Sequence, residues 1–356
     1  MERELRLMKG NEAVAEAAIR AGVDGYFGYP ITPQSEIIEY LMEADPAKTT
    51  GMVVVQAESE VAAINMVYGG AGCGKKVMTT SSSPGISLKQ EGITYIAGAE
   101  LPCVIVNVVR GGPGLGTIQP AQSDYFQAVK GGGHGDYHLI VLAPASVQEM
   151  ADFVGLGFDL AFKYRNPVMI LSDGAIGQMM EKVWLDPPRE RSKEIPEWAT
   201  TGKTADRKRN IITSLELDPF RQEVFNRKLV EKYDAIRENE VRFEEYLCED
   251  AEYLLVAYGT SARVCQKAVQ LAREQGIKAG LLRPITLFPF PTKRISELAG
   301  QLKMALAVEM SAGQMIEDVQ LSINGKIPVH YYGRMGGMVP TPDEVVENLK
   351  ERIIGG

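Results

Sequence analysis

Three side chains of complementary chemistry stand just after predicted strands in the first half of this chain. Thr32 supplies a hydroxyl, Glu60 a carboxylate and Arg110 a guanidinium. An arginine in such a place can hold a carboxylate through two parallel hydrogen bonds, and a carboxyl group can exchange a proton with a bound molecule. Because open α/β sheets bind ligands beyond the carboxyl ends of their strands, this set predicts a site for a small anionic molecule.

Each of the three residues also has a purely structural interpretation. Thr32 suits the N-cap of a helix whose first residue is Pro33. Glu60 can stabilise a helix N-terminus through the helix dipole, and Arg110 can form a surface ion pair. The pattern of residues alone leaves these alternatives open.

The elements that must position these residues alternate between strands and helices. Apolar, β-branched runs at 52–55 and 103–109 predict buried strands, and the second run is typical of a parallel sheet that is covered on both faces. Helical patterns lie between them at 58–68 and 86–97. We therefore predict an α/β fold, with a doubly wound domain over residues 1–185.

The character of the sequence changes after residue 185. Between residues 186 and 250, 29 of 65 residues are charged, against 24% for the whole chain. We predict a charged helical connector there, with one long helix at 221–247 that packs over the surface or contacts a partner. A solvated helix with paired charges is the alternative. A second α/β domain is expected over 251–356, where the strand and helix patterns resume.

Composition argues against several classes of function. The 356 residues carry a formal net charge of −8, which disfavours binding to nucleic acid or to an anionic membrane. No run of about 18 apolar residues is present, and no apolar stretch follows the first residues, so we expect a cytoplasmic chain without a signal peptide. The four cysteines form no CxxC pair, and no metal site is predicted. The stretch GGAGCGKK at 69–76 nearly matches the phosphate-binding loop GxxxxGK[ST]. It has a lysine at position 76 in place of the Ser or Thr that would hold Mg²⁺, which disfavours a nucleotide-binding loop.

Several longer motifs resemble those of a known enzyme family. They are KGNEA at 9–13, YPITP at 29–33, ESEVAA at 58–63, SSSPGISL at 81–88, VVRGGPGLG at 108–116 and LAPASVQE at 142–149. With AYGT at 257–260 and LRP at 282–284, the chain resembles the α subunit of thiamine-diphosphate-dependent 2-oxoacid:ferredoxin oxidoreductases. The resemblance implies a pyrimidine-type thiamine diphosphate domain over 1–185 and a transketolase C-terminal-like domain over 251–356.

The resemblance also implies roles for the three candidate residues. The family position that matches Glu60 bonds N1′ of the cofactor's aminopyrimidine. Glu58 is a nearby competitor for this role, but the spacing of Glu60 to Gly85 fits the family pattern and favours Glu60. The positions that match Thr32 and Arg110 contact the substrate, and Arg110 would bind the 2-oxoacid carboxylate. The residues that would lie along the cofactor pocket precede Thr32 in the chain: Pro30 and Ile31.

The motifs that this chain lacks indicate an enzyme of several subunits. We find no GDG followed about 25–30 residues later by Asn, the pattern that binds diphosphate through Mg²⁺ in thiamine enzymes, and no cysteine cluster for an iron–sulfur centre. The resemblance implies β, γ and δ subunits that supply Mg²⁺ and [4Fe-4S] clusters and share the thiamine diphosphate. Ferredoxin, coenzyme A and a 2-oxoacid are the other expected partners.

The expected reaction is oxidative decarboxylation of a branched-chain 2-oxoacid, 3-methyl-2-oxobutanoate, to an acyl-CoA and CO2 with reduction of ferredoxin. The stretches at 81–88, 108–127 and 131–137 favour this subgroup of the family. One alternative is the α subunit of a 2-oxoglutarate:ferredoxin oxidoreductase (2-oxoglutarate synthase). Half of a non-redox thiamine enzyme and a non-catalytic subunit of the same fold are the others.

Overall fold

The computed structural model describes residues 3–189, 191, 194–203, 205 and 207–355, so a few positions of the predicted domains and connector lie outside it. The strands are β1 (Glu4–Lys9), β2 (Gly25–Gly28), β3 (Val53–Gln56), β4 (Val77–Ser81), β5 (Cys103–Val109), β6 (Ile140–Leu142), β7 (Pro167–Asp173), β8 (Met180–Leu185), β9 (Phe243–Tyr246), β10 (Tyr253–Val256), β11 (Ala279–Pro284), β12 (Thr286–Phe288), β13 (Met304–Glu309) and β14 (Val329–Gly333). The helices are α1 (Gly10–Arg20), α2 (Ser35–Ala44), α3 (Pro46–Thr49), α4 (Glu60–Gly72), α5 (Ser83–Gly98), α6 (Val147–Tyr164), α7 (Gly174–Gln178), α8 (Pro219–Asn239), α9 (Gly259–Glu274), α10 (Thr292–Leu298), α11 (Met315–Ile323) and α12 (Pro342–Gly355).

The first half of the chain is organised by a seven-stranded sheet in the order β12-β6-β7-β5-β4-β2-β3. All of its strand pairs are parallel except that between β12 and β6. Every residue of the central strands β4, β5 and β7 is buried, as expected for a parallel sheet with helices on both faces. The doubly wound α/β fold is therefore confirmed. One strand, β12, comes from the second half of the chain, and the β1–β8 pair forms a small separate sheet.

The second sheet has the order β14-β13-β10-β11-β9. Its strands are parallel except for β9, which runs antiparallel to β11 at the edge. The predicted helix at 221–247 is wrong at its end, because α8 stops at Asn239 and residues 243–246 form β9. Pairing with the exposed edge of β11 outweighs the helical pattern there. The division of the chain at residues 185 and 250 stays a prediction.

Gln122 joins the two sheets through buried hydrogen bonds. Its side-chain amide donates to the Tyr258 carbonyl at 2.8 Å, and its oxygen accepts from the Ser261 hydroxyl at 2.7 Å and the Met310 amide at 3.0 Å. Nearby, the Thr260 hydroxyl donates to the buried Asp173 carboxylate at 2.8 Å. Because these groups are out of water, the bonds fix how the second unit sits on the edge of the first sheet.

Candidate functional site

The candidate site lies where four parallel strands end at one edge of the first sheet. Gly28 at the end of β2 pairs with Gln56 at the end of β3, and Ser81 of β4 pairs with Asn107 of β5. The chain passes from β2 outward to β3, crosses back to β4 and continues to β5 on the other side. The strand order therefore reverses between β2 and β4, and such a reversal opens a ligand-binding crevice.

Glu60 is the first residue of α4, and its side chain lies inside the protein. Only 6% of the residue is exposed, whereas its competitor Glu58 is exposed. The helix N-terminus is capped by Ser59, whose hydroxyl accepts from the Ala62 amide at 3.2 Å. No hydrogen bond or ion pair engages the Glu60 carboxylate within the described residues. A buried carboxylate without a partner is unfavourable, so the structure favours Glu60 over Glu58 for contact with a bound group.

A glycine lets the Glu60 carboxylate lie directly against α5. A Cβ on Gly85 would stand 2.6 Å from Glu60 Oε1 and 2.1 Å from Ser81 Oγ, so no larger residue fits without movement. The hydroxyls of Ser81 and Ser82 are buried and find no hydrogen-bond partner among the residues that the structure describes. Because an unsatisfied buried polar group costs about 1–3 kcal/mol, these groups and Glu60 fit a bound polar ring such as an aminopyrimidine.

The Arg110 guanidinium is buried and held by two backbone carbonyls. Nη1 donates to the Thr32 carbonyl at 2.9 Å and Nη2 to the Leu115 carbonyl at 3.2 Å, and only 7% of the residue is exposed. The alternative of a surface ion pair is therefore wrong. A guanidinium has five N–H donors, so about three stay available, including the buried Nε, which has no partner in the described part of the chain. Such a set can receive a carboxylate.

Thr32 lies beside Arg110 but does not cap a helix. Helix α2 begins at Ser35 with Gln34 in the N-cap position, so the prediction of Thr32 as N-cap and Pro33 as first helical residue is wrong. The Thr32 side chain is exposed, while Pro30 and Ile31 are half-buried on the same loop. The buried Gln34 holds this loop: its amide donates to the Tyr29 carbonyl at 3.1 Å, and its oxygen accepts from the Thr80 hydroxyl of β4.

The start of α5 connects the two halves of the candidate site. Gly85 touches Glu60, and the Ser83 hydroxyl bonds both the amide of Arg110, at 3.1 Å, and its carbonyl, at 3.2 Å. The Ser83 amide in turn donates to Asn107 Oδ1 at 3.2 Å. The structure therefore brings Thr32 and Arg110 into contact and places the 81–85 segment between them and Glu60.

Sequence reasoning found this segment as the motif SSSPGISL but gave no functional role to Ser81, Ser82 or the polar groups below them. The serines of SSSPG suggest helix capping, yet no side-chain capping bond forms at Ser82. Gly85 and the buried Lys89 also belong to the surroundings of Glu60. A lysine on the buried face of an apolar helix was the available signal, since lysine is almost never fully buried without a partner.

Neither a metal centre nor a membrane segment is found in the part of the chain that the structure describes. Its His, Cys, Asp and Glu residues form no group of three that could hold a metal ion. None of its helices is both long enough and apolar enough to cross a bilayer.

Comparison with known proteins identifies the family. The family described as pyruvate flavodoxin/ferredoxin oxidoreductase, thiamine diphosphate-binding, matches residues 16–247, and the pyruvate:ferredoxin oxidoreductase core domain II matches residues 251–345. The ketoisovalerate oxidoreductase subunit VorB of Methanothermobacter thermautotrophicus is 54% identical over 97% of both chains. The 2-oxoglutarate synthase subunit KorA of Methanothermobacter marburgensis is 37% identical over 96% of this chain and 97% of its own.

A solved structure of the same family superposes on nearly the whole chain. The 2-oxoglutarate:ferredoxin oxidoreductase from Magnetococcus marinus, with 2-oxoglutarate, coenzyme A and succinyl-CoA bound, gives a TM-score of 0.86 at 29% identity. The match covers 99% of this chain and 66% of that longer chain. With its thiamine diphosphate-binding domain and core domain II, the chain belongs to the 2-oxoacid:ferredoxin oxidoreductase family, as the sequence motifs predicted.

Proposed function

We propose that this chain is the α subunit of a branched-chain 2-oxoacid:ferredoxin oxidoreductase. In this proposal the complex converts 3-methyl-2-oxobutanoate and coenzyme A to an acyl-CoA and CO2, and two electrons pass to ferredoxin. The identity of 54% to a ketoisovalerate oxidoreductase subunit, against 37% to a 2-oxoglutarate synthase subunit, supports the branched-chain substrate. The observation that carries the catalytic part is the buried carboxylate of Glu60 against Gly85, which has no hydrogen-bond or ionic partner in the described ranges.

Glu60 would be the group that moves a proton in the cofactor site. Bound thiamine diphosphate supplies the electron sink that decarboxylation of a 2-oxoacid requires. The Glu60 carboxylate would hold one proton in common with the pyrimidine N1′, a role that needs an acidic oxygen at that place. Ser81 and Ser82 would satisfy their free hydroxyls on the same bound group, and Pro30 and Ile31 would border it.

Arg110 would hold the 2-oxoacid by its carboxylate. Its Nη1 and Nη2 are each fixed by one carbonyl, so the guanidinium needs no reorganisation when the substrate arrives. Thr32, bonded to Arg110 through its carbonyl, would present its exposed hydroxyl to the same ligand. The charge of the substrate thus meets a buried arginine rather than a solvated one, which strengthens the interaction.

The remaining half of the site would come from partner subunits, for which we propose the β, γ and δ composition. Helix α4 carries apolar residues on its exposed as well as its buried side, and a helix of that kind is normally enclosed by protein. In this chain its Val61 and Met66 stay exposed, as does Leu88 on α5. We infer that the subunit carrying Mg²⁺ and the diphosphate covers this surface, while [4Fe-4S] clusters on partner subunits pass the electrons to ferredoxin.

The variants Glu60→Gln and Glu58→Gln test this function in the assembled complex. Glutamine keeps the size of glutamate but cannot take up the proton, so we expect E60Q to lower kcat at least about 100-fold and E58Q to leave it near wild type. Native mass spectrometry would verify that both complexes assemble and hold thiamine diphosphate. Full turnover by a cofactor-loaded E60Q complex would refute the role of Glu60. A panel of 2-oxoacids on the wild-type complex tests the substrate: a preference for 2-oxoglutarate would refute the branched-chain proposal.

A further inference from the structure

Helix α5 is not capped by the side chain of its own N-cap residue. A serine in the N-cap position normally accepts a hydrogen bond from the second or third amide of its helix. Here the second residue is Pro84, which has no N–H, and the amide of the third, Gly85, donates to the Ser82 carbonyl at 2.7 Å. The Ser82 hydroxyl therefore has no helix amide to accept from, and another group must hold the start of α5.

Asn107 of β5 supplies the missing cap from the neighbouring strand. The residue is fully buried, and its Oδ1 accepts from the amide of Ser83, the first residue of α5, at 3.2 Å. That amide would otherwise be one of the donors that a helix leaves unsatisfied at its N-terminus. Because β5 lies inside the sheet, between β4 and β7, the place where α5 begins is set by the sheet.

Asp124 orients the Asn107 side chain. Asn107 Nδ2 donates to Asp124 Oδ2 at 2.9 Å. A carboxylate only accepts, so it selects the NH2 end of the amide and turns the carbonyl end toward Ser83. The backbone on either side of Asp124 is itself held by Gln314 of α11, through two hydrogen bonds of 2.8 Å. Asp124 is therefore a fixed anchor.

The anchored start of α5 contacts both halves of the candidate site. The Ser83 hydroxyl bonds the amide of Arg110 at 3.1 Å and its carbonyl at 3.2 Å. Two residues further along the helix, Gly85 lies against the Glu60 carboxylate. A shift of this first turn would therefore move the backbone of Arg110 and change the space around Glu60 at the same time.

We propose that Asn107, oriented by Asp124, is a positioning residue that fixes the arginine and the acid of the site relative to each other. The inference rests on the proposed roles of Arg110 and Glu60. Asn107 itself is buried behind α5 and acts through the first turn of that helix. A misplacement of about 1 Å at a reacting group can lower a rate about 100-fold, so a displaced first turn should weaken use of both the cofactor and the substrate.

The test compares two variants of the assembled complex. Asn107→Leu keeps the size of the side chain but makes neither hydrogen bond. The double exchange Asn107→Asp with Asp124→Asn restores both bonds, because the carboxylate at 107 accepts from the Ser83 amide and from the amide at 124. We expect N107L to lower kcat/KM for 3-methyl-2-oxobutanoate at least about tenfold and the exchange to recover it to within about threefold of wild type. Asn239→Leu, at an exposed asparagine of α8, is the control and should match wild type.

Ser83→Ala separates positioning from a general loss of stability. It removes the hydroxyl that bonds the Arg110 backbone but keeps the backbone amide that Asn107 caps. We therefore expect S83A to raise KM for the 2-oxoacid about tenfold and to leave the Kd of thiamine diphosphate near wild type. N107L should raise both constants. The Kd is measured by calorimetry, with Mg²⁺, on complexes stripped of cofactor, and urea unfolding of each variant shows that the split does not follow stability.

Asp124→Ala keeps the test decisive if N107L fails to assemble. It leaves Asn107 in place without its orienting partner, so we expect it to raise KM and Kd in the same direction by a smaller factor. Wild-type KM and Kd in every assembled variant, or an exchange that fails to restore what N107L lost, would overturn the role of Asn107. Full activity of E60Q would instead overturn the proposed function, so the two failures are distinguishable.

Discussion

Substitution of Gly85 by alanine should disable the site while leaving the fold in place. The added methyl group would stand 2.6 Å from Glu60 Oε1 and 2.1 Å from Ser81 Oγ. Both atoms are the terminal atoms of side chains that can rotate, and neither belongs to the backbone, so both can move away. The protein is therefore expected to accommodate the methyl group by moving the carboxylate on which the proposed chemistry depends.

The size of that movement follows from the contact distances. Ordinary van der Waals contact begins at 3.4 Å, so the Glu60 oxygen must retreat by about 0.8 Å and the Ser81 hydroxyl by about 1.3 Å. A misplacement of about 1 Å at a reacting group can lower a rate about 100-fold. The overpacking itself costs about 1–3 kcal/mol, partly offset by the gain of about 0.5–1 kcal/mol for alanine over glycine in a helix. We therefore expect kcat to fall about 100-fold with a loss of stability below about 2.5 kcal/mol.

The control for this substitution lies two turns further along the same helix. A Cβ on Gly92 would stand 2.5 Å from Ile64 Cγ2, so Gly92→Ala overpacks α5 against α4 to a similar degree without touching Glu60. The assay compares ferredoxin reduction with 3-methyl-2-oxobutanoate by the wild-type, G85A and G92A complexes, and urea unfolding of each. G92A should lose stability by about 1–3 kcal/mol and keep most of its activity.

The comparison of the two variants can refute the reasoning. If G85A kept wild-type kcat, the position of the Glu60 carboxylate would not matter to the reaction. If G92A lost as much activity as G85A at similar stability, the loss would reflect general distortion of α5 rather than displacement of Glu60. The double variant Ser81→Ala with Gly85→Ala removes one of the two clashes only, so it should recover stability but not turnover.

Three further predictions concern Arg110, the contact between the sheets and the buried Lys89. Arg110→Lys keeps the charge but loses the planar guanidinium that can bond two carbonyls and a carboxylate at once. We therefore expect kcat/KM for the 2-oxoacid to fall about 10- to 100-fold with assembly unchanged. An unaltered KM would contradict the proposal that Arg110 binds the substrate carboxylate. Gln122→Ala removes the hydrogen-bond partners of three buried groups in the second half of the chain. The free energy of unfolding, measured in urea, should fall by about 3 kcal/mol. A loss below about 1 kcal/mol would mean that other contacts hold the two sheets together. Burial lowers the pKa of Lys89 from about 10.5 to about 8, so wild-type stability should rise between these pH values because the native state loses this proton first. Lys89→Met should lack this rise and be more stable at pH 7 by up to about 3 kcal/mol. A drop in stability of K89M at pH 7 would show that the ammonium stabilises the fold.

The sheet and its edge could be predicted from sequence because their signals are local. The run at 103–109 is apolar at every position, and β5 is buried at every position. Arg110 follows it directly, so its place at the carboxyl edge needed only the strand assignment. In the same way, Glu58 and Glu60 lie just beyond β3, and the sequence favoured Glu60 only through the family spacing to Gly85. Their burial depends on α5, which packs on α4 and encloses Glu60 but not Glu58.

The missed features depend on pairings between distant segments. Thr32 has the residue type and the following proline of a helix start, yet Gln34 becomes the N-cap position, and Arg110 engages the Thr32 carbonyl from 78 residues away. Residues 243–246 continue a helical pattern but form β9, because the edge of β11 is available to pair. Such outcomes are set by tertiary contacts that outweigh local propensity, and no short window of sequence contains them.

The openness of the site agrees with the proposal that it is shared between subunits. A complete pocket for a small molecule normally encloses most of its ligand. Here the described residues offer a buried acid, a buried guanidinium and unpartnered hydroxyls along one edge of a sheet, while the apolar Val61, Met66 and Leu88 stay exposed on the adjoining helices. In a chain that functioned alone, polar groups without hydrogen-bond partners and exposed apolar side chains in the same region would both be unfavourable. A second subunit placed on α4 and α5 would cover the apolar residues and close the crevice in one step, so loss of that partner should abolish cofactor binding together with activity.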